Sequence, residues 1–308
     1  MAINSSISII IPTRNRVVFL KNCLGLLLKS IKKDDQIIIC DNSSSEQTKR
    51  YCQLLQTDYP NIDYVQIHKT GPSSARNVGV TLANRPYLVF LDDDCLVDQR
   101  WRKTMSDIMD KEKKAHHYAL HQGVIRYVFQ RQSRLTQLFY LRQQVTSNIL
   151  RLDSSAPRPI GIRYLNAGSF FLHHSLLKVI GQIFDEQTFP FVGEERDLAI
   201  RAELKHIPIF LEPALVVIHH KKNVSLRAGI ARSFLQGVAS AKIIRRYVVD
   251  QSVAQLFGLR QRDEFLMVFD RTISAIPKHF SEPLSVLIAQ CTMMIYKGAY
   301  LLGKKLYA

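Results

Sequence analysis

The chain has no C-x-x-C pair, no Walker A sequence and no G-x-G-x-x-G after its first strand-like run. Without the glycine fingerprint, a nicotinamide-binding domain is disfavoured, and phosphate must be held in some other way. The five cysteines, Cys23, Cys40, Cys52, Cys95 and Cys291, are odd in number and irregularly spaced. That argues against a disulfide framework or a zinc site and for reduced thiols in a cytosolic protein. No repeat of fixed period and no low-complexity tract occurs. The N-terminal run MAINSSISIIIPTRN lacks a basic region and a long apolar stretch, so it is expected to begin the fold and not to be a signal peptide. Acidic residues are missing altogether from Lys113 to Leu152, where seven Lys or Arg occur, and they number five against 14 Lys or Arg from Lys221 onward. The net charge is +16 and the pI about 9.7. Such a balance favours nucleic acid, phosphorylated small molecules or an acidic membrane surface as partners.

What is present is a globular composition, 46% hydrophobic and 22% charged over 308 residues. This suits one large domain, or one domain with a helical extension. The first hundred residues alternate short apolar β-branched runs (ISIIIPT, DQIIICD, IDYVQIHKT, YLVFL) with helical patterns. Continuous apolar strands separated by helices imply a mostly parallel sheet covered on both faces, a doubly wound α/β architecture. In such sheets ligands bind beyond the carboxyl ends of the strands. The unusual polar clusters all fall there: Thr13-Arg14-Asn15 after the first strand, Asp41-Asn42-Ser43 after the second, and Asp92-Asp93-Asp94 after the fourth.

Three adjacent aspartates repel by about 4 kcal/mol per pair at ~4 Å and an effective dielectric of ~20. A bound Mg²⁺ or Mn²⁺, shared with phosphate oxygens, would relieve this; an acidic turn with a helix cap is the plainer reading. In extended geometry Asp92 and Asp94 point the same way and Asp93 elsewhere. Glu194, Glu195 and Asp197 open a helical pattern, where they serve either the helix dipole or a general base. His219-His220 end an apolar run, as a metal ligand or as a surface cap. The segment Pro283–Gly303 is about long enough to span a bilayer. Gln290, Thr292 and Lys297 interrupt it, so a buried or interfacial helix is expected.

With these clusters in order, the chain resembles an inverting glycosyltransferase of family two with a GT-A fold. The motifs SIIIPTRNR, IIICDNSS, GPSSARNVGV, YLVFLDDDCLV, NAGSFFLHHSLL, GEERDLAIRA and VVIHH carry the likeness over about residues 5–222. The resemblance implies a Rossmann-like mixed sheet that binds a nucleotide-diphospho-sugar. Thr13, Asn15 and Asp41 would hold base and ribose, and Arg76 the nucleotide or diphosphate. Asp92 would meet ribose or metal. Asp94 and His219 would ligate Mn²⁺ or Mg²⁺, and Glu195 would be the catalytic base. The family often has Glu-Asp where this chain has Glu194-Glu195, which leaves Asp197 as an alternative base; the double histidine leaves His220 as an alternative ligand.

The expected organisation is a catalytic domain over 1–222 and a basic helical extension over 223–308. The extension contains RAGIARSFLQGVASAKIIRRYVV, readable either as an interfacial helix or as a packed helix with a solvated face. The expected activity is metal-dependent inverting transfer of a sugar to an acceptor hydroxyl of a glycan or lipid-linked glycan in cell-surface polysaccharide synthesis. The expected place is the cytoplasm, peripheral at the inner face of the cytoplasmic membrane. The alternatives are a catalytically inactive GT-A-like scaffold and a basic nucleic-acid-binding protein. No recognition motif for nucleic acid accompanies the basic residues, which argues against that partner.

Overall fold

In a computed structural model, residues 5–43, 45–129, 133–150, 158–159, 165–221, 225–247, 264–280 and 282–307 are described. The chain divides into two compact units, Met1–Arg126 with Ser154–His220, and Tyr127–Asp153 with Lys221–Ala308.

The first unit is built on a sheet. Its leading half is β1 (Ile7–Thr13), β2 (Gln36–Asp41), β3 (Ile62–Gln66) and β4 (Tyr87–Leu91), interleaved with α1 (Val17–Ser30), α2 (Glu46–Asp58) and α3 (Pro72–Leu82). β1 pairs in parallel with β2 and β4, and β2 with β3. Every residue of β1, β2 and β4 is buried, whereas the edge strand β3 is only partly so, with Ile62 buried and Asp63 and Gln66 exposed. Burial on both faces is why the three central strands read as unbroken apolar runs.

The trailing half comprises β5 (Cys95–Val97), α4 (Trp101–Ala115), β6 (Leu120–Phe129), β7 (Arg158–Pro159), β8 (Ser169–His173), a 3₁₀ turn, a short α6 (Leu177–Ile180), α7 (Glu194–Leu204) and β9 (Ile209–Lys221). Among the described residues the nine strands form one sheet in the order β3-β2-β1-β4-β8-β6-β9-β5, with β7 on β9. The pairs β4–β8, β6–β8, β5–β9 and β7–β9 are antiparallel. The sheet is therefore mixed and matches a GT-A-type expectation; the simple doubly wound, mostly parallel picture holds only for its first half.

Packing around the central strands is aromatic. Phe90 stacks on Phe170 with centroids 4.6 Å apart and meets Phe184 edge-on at 5.4 Å. Two buried polar assemblies lock the periphery. Arg102 Nε donates to Asp35 Oδ2 at 2.7 Å and its Nη2 to Oδ1 at 2.8 Å, while Asp35 also accepts the Ile7 and Lys32 amides. His121 stands between Glu112 at 2.9 Å and Glu212 at 2.7 Å, its ring stacked on Phe171. Burial opposes protonation of His121, but the two carboxylates outweigh it and raise the pKa.

The second unit is helical: α5 (Arg134–Leu150), α8 (Leu226–Tyr247), α9 (Glu264–His279) and α10 (Pro283–Tyr307). Leu138 and Leu141 of α5 share a core with Phe269, Ile276, Met293 and Tyr300. The apolar face of α5 thus gathers residues from within 127–153 into the C-terminal unit, although sequence reasoning had assigned them to the 1–222 domain. The boundary expected at 222/223 lies outside the described residues.

Candidate active site

The carboxyl ends of β1, β2 and β4 lie on one side of the sheet, with Thr13 in register with Asp41. The three aspartates after β4 are not a bare cluster, because two arginines pair with them, Arg76 with Asp92 and Arg16 with both Asp93 and Asp94. Asp92 Oδ1 accepts from Arg76 Nη2 at 2.8 Å. Asp93 accepts the Thr13 hydroxyl at 2.6 Å and pairs with Arg16. Asp94 Oδ2 accepts from Arg16 Nη1 at 2.8 Å, and its Oδ1 lies 3.2 Å from His219 Nε2. Burial, with repulsion from Asp94 and Asp92, pushes Asp93 up to about 7 despite Arg16 and Thr13. Asp92 goes the other way: burial resists ionisation, but Arg76, His219 and Arg16 hold it below its ordinary value.

Arg76 is the hub. It is buried in α3, its Nη1 reaches Glu194 Oε1 at 3.2 Å, and its guanidinium sits 5.6 Å from the Phe184 ring centroid. Desolvation disfavours its charge, but Asp92, Glu194 and Glu195 more than compensate, raising its pKa. The reach depends on how α3 meets the segment before α7. Ser73 donates to the Phe189 carbonyl at 2.6 Å and Asn77 to that of Phe184 at 2.8 Å. Gly71, at φ +104°, precedes α3 so closely that a Cβ there would strike the Pro190 carbonyl. Only glycine meets both demands.

Glu195 follows Glu194 at the first turn of α7. Its Oε1 accepts the Ala167 amide at 2.9 Å, from the turn that leads into β8. Burial first, then repulsion from Glu194 and Asp92, raises its pKa to about 7, against the opposing pull of Arg76 and the Ala167 amide. A carboxylate poised near neutrality is suited to taking up a proton. Asp197 is fully buried and bound to Arg201 Nε at 2.8 Å. Arg201 in turn donates to the carbonyls of Ile180, Gln182 and Ile183, so that pair ties α7 to the preceding loop.

The antiparallel register of β5 with β9 sets Cys95 opposite His219, which carries that imidazole to Asp94. His220 contributes its backbone amide to the Asp94 carbonyl at 2.8 Å. Ligand atoms of Asp94, Cys95 and His219 all lie within 4.8 Å of one another. The fit to a hard divalent cation is good for two of the three. An octahedral ion with bonds of about 2.1 Å holds neighbouring ligands roughly 3 Å apart, close to the Asp94–His219 spacing. Cys95 is unsuited, since burial and the nearby aspartates keep its thiol protonated.

The structure thus brings together Arg76, Asp92 and Glu194, and separately Asp94 with His219. Asp41 is fully buried and accepts from the Ser43 amide at 2.8 Å, the Ser43 hydroxyl and the Tyr64 hydroxyl at 3.0 Å. Asn15 stands exposed at φ 54°. Sequence reasoning missed Arg16 and Ala167. Arg16 had a signal: three like charges at a strand end need a cation, and the arginine-bearing loop after β1 ends on the same side.

A family model described as glycosyl transferase family 2 matches residues 8–165. A GalNAc(5)-diNAcBac-PP-undecaprenol beta-1,3-glucosyltransferase of Campylobacter jejuni is 35% identical over 112 residues, 36% of this chain and 35% of that one. Glycosyltransferase AglE of Haloferax volcanii is 30% identical over 98 residues, 31% and 32% of the two chains. The match spans about a third of the length of these curated relatives. The mannosyltransferase PcManGT of Pyrobaculum calidifontis, solved with GDP-Man and Mn²⁺, has the same fold with a TM-score of 0.62 and 15% identity, over 99% of this chain and 87% of that one. Residues 1–349 of S. aureus TarS give 0.53 and 16%, over 98% and 91%.

Proposed function

The chain belongs to glycosyl transferase family 2, whose model covers just over half of it, and from that premise we propose that it transfers a sugar from a nucleotide-diphospho-sugar to an acceptor hydroxyl with inversion. The observation that carries this reading is Glu195, anchored on the Ala167 amide and raised to about 7 beside the Arg76–Asp92–Glu194 chain. In its ionised form Glu195 takes the proton of the acceptor hydroxyl. The freed oxygen forms its bond to the anomeric carbon from the face opposite the leaving group. The bond from that carbon to the diphosphate oxygen breaks, and the nucleoside diphosphate leaves with the electron pair. Arg76 holds Asp92 and Glu194 in place and keeps Glu195 ionisable near neutral pH.

Asp94 and His219 are the residues that would hold Mn²⁺ or Mg²⁺, and such a cation would neutralise charge on the departing diphosphate. Thr13, Asn15, Asp41 and Asp92 are assigned to the nucleoside side. Thr13 and Asp41 do so from behind, as supports of the loops, because both are buried. Residues 1–222, less the stretch 127–153 that groups with the C-terminal helices, would carry the catalysis, and 223–308 would form the extension. A glycan or lipid-linked glycan is the proposed acceptor, in keeping with the undecaprenol-linked substrate in the name of the Campylobacter relative. The proposed place of the reaction is the cytoplasm, at the inner face of the cytoplasmic membrane.

The test is calorimetric titration with UDP, GDP and dTDP, each with Mn²⁺ and with EDTA, alongside Asp94→Asn. Metal-dependent binding of one nucleotide that is lost in Asp94→Asn is expected. Absence of nucleotide binding under every condition would remove the reading.

A further inference from the structure

The C-terminal helix α10 is apolar on its outer face as well as on its inner one. Its solvent-facing positions recur every three or four residues, and nearly all are apolar. Leu284, Leu287, Leu302 and Leu306 are 62%, 56%, 53% and 64% exposed, with Met294 and Ile295 between them. The inward face is already packed, with Ala289, Met293, Tyr296 and Tyr300 in the helical core and Ser285 and Thr292 beside them. Thr292 donates to the Ile288 carbonyl at 2.8 Å and Ser285 to Glu282 at 3.1 Å, so these two inward hydroxyls are satisfied close by. A helix in water puts its apolar stripe inward. A continuous exposed stripe of this kind marks an interaction surface.

We propose that this stripe lies in the plane of an anionic lipid bilayer, docking the protein on the membrane without crossing it. Charge selects lipid over a second copy. Residues 221–308 carry 14 Lys or Arg against five acids, so two such units would repel while an anionic leaflet attracts them. Lys305 falls within the stripe, beside Lys304, and Tyr307 is exposed at its end. Basic and aromatic residues at one end of an apolar face suit the headgroup level. Packing selects the in-plane pose. The opposite face is seated on α8 so tightly that a Cβ on Gly237 would collide with the Tyr300 carbonyl, and one on Gly303 with that of Phe234. α8 carries Arg227, Arg232, Arg245 and Arg246. Crossing the bilayer would drag those arginines into hydrocarbon, at a cost that an in-plane helix avoids. The length and hydropathy of α10 would allow a span, but only one of its faces is free.

The inference rests on the proposed function only for its link to a lipid-linked acceptor, and its test does not depend on turnover. The full chain is floated on a density gradient with vesicles of phosphatidylethanolamine and phosphatidylglycerol, and with phosphatidylcholine alone. Wild type should rise with the anionic vesicles and be released by alkaline carbonate. The Leu287→Glu/Leu302→Glu variant should partition roughly tenfold less or weaker while keeping its circular dichroism, since both leucines are exposed. Glu195→Gln should float as wild type does, which separates docking from catalysis. The proposal is overturned if wild type stays at the bottom, whether as a monomer or as a dimer that the double variant dissociates. Resistance to carbonate, which indicates a span, would overturn it equally.

Discussion

Replacing Glu195 by Gln should weaken catalysis and strengthen the fold at once. The amide keeps the size of the side chain and an oxygen to accept the Ala167 amide, which now lies 2.9 Å from Oε1. It removes the charge that burial and Glu194 disfavour. In the unfolded chain a Glu titrates near ~4.3; in the fold Glu195 titrates at about 7. Below ~4.3 both states are protonated and the residue is neutral in its effect. Between the two values the folded state keeps a proton that the unfolded chain has released, so stability falls as pH rises. Above 7 the loss is complete. It amounts to about 1–3 kcal/mol, the lower end allowing for solvent screening of a side chain that is not fully buried. The assay is urea denaturation of wild type and Glu195→Gln at pH 4, 6 and 8, paired with sugar transfer once the donor is identified. The variant should match wild type at pH 4 and exceed it by that margin at pH 8. Transfer should drop by roughly 10²–10⁴, and wild-type activity should climb with pH through about 7. Equal stabilities at pH 8, or transfer within tenfold of wild type, would refute the assignment of Glu195 as a destabilised general base.

Three further outcomes are expected. His219→Ala and Asp94→Asn should each weaken Mn²⁺ binding at least roughly tenfold by calorimetry, whereas His220→Ala should leave it unchanged, because His220 meets the Asp94 carbonyl through its backbone amide, which the substitution keeps. Asp35→Ala should cost about 3–5 kcal/mol in urea denaturation, because it strands the buried Arg102 guanidinium; a loss under 1 kcal/mol would contradict the reading of that pair as a lock. His121, raised by Glu112 and Glu212, contributes stability that is complete below its unfolded value of about 6.5 and fades as pH rises through its higher folded value. His121→Gln should flatten that part of the pH profile, and an unchanged slope above pH 6.5 would show that the triad does not titrate there.

How far each feature could be read from the chain depends on whether its cause was local. The strands β1, β2 and β4 were legible because burial on both faces writes an unbroken apolar run, and the loops at their ends were legible because ligands to such a sheet gather at one end. Asp92, Asp94, Glu195 and His219 stood out as polar clusters at strand and helix ends. The antiparallel half of the sheet was harder, since pairing direction leaves no mark within a strand. The basic stretch 127–153 gave no sign that α5 belongs with the C-terminal helices, because shared burial of Leu138 and Leu141 with Phe269 and Met293 is a contact between distant parts of the chain.

By itself the sequence determined the family, the α/β layout and the residue types available for chemistry, because these follow from local pattern and motif order. Only the tertiary structure decided which of the two histidines faces Asp94, that Asp197 is committed to Arg201, and that Arg16 and Arg76 answer the three aspartates. It also decided which face of α10 is turned outward. Each of these is a matter of register or packing between residues far apart in the chain, where burial and distance set the charge state and neither is written in the order of residues.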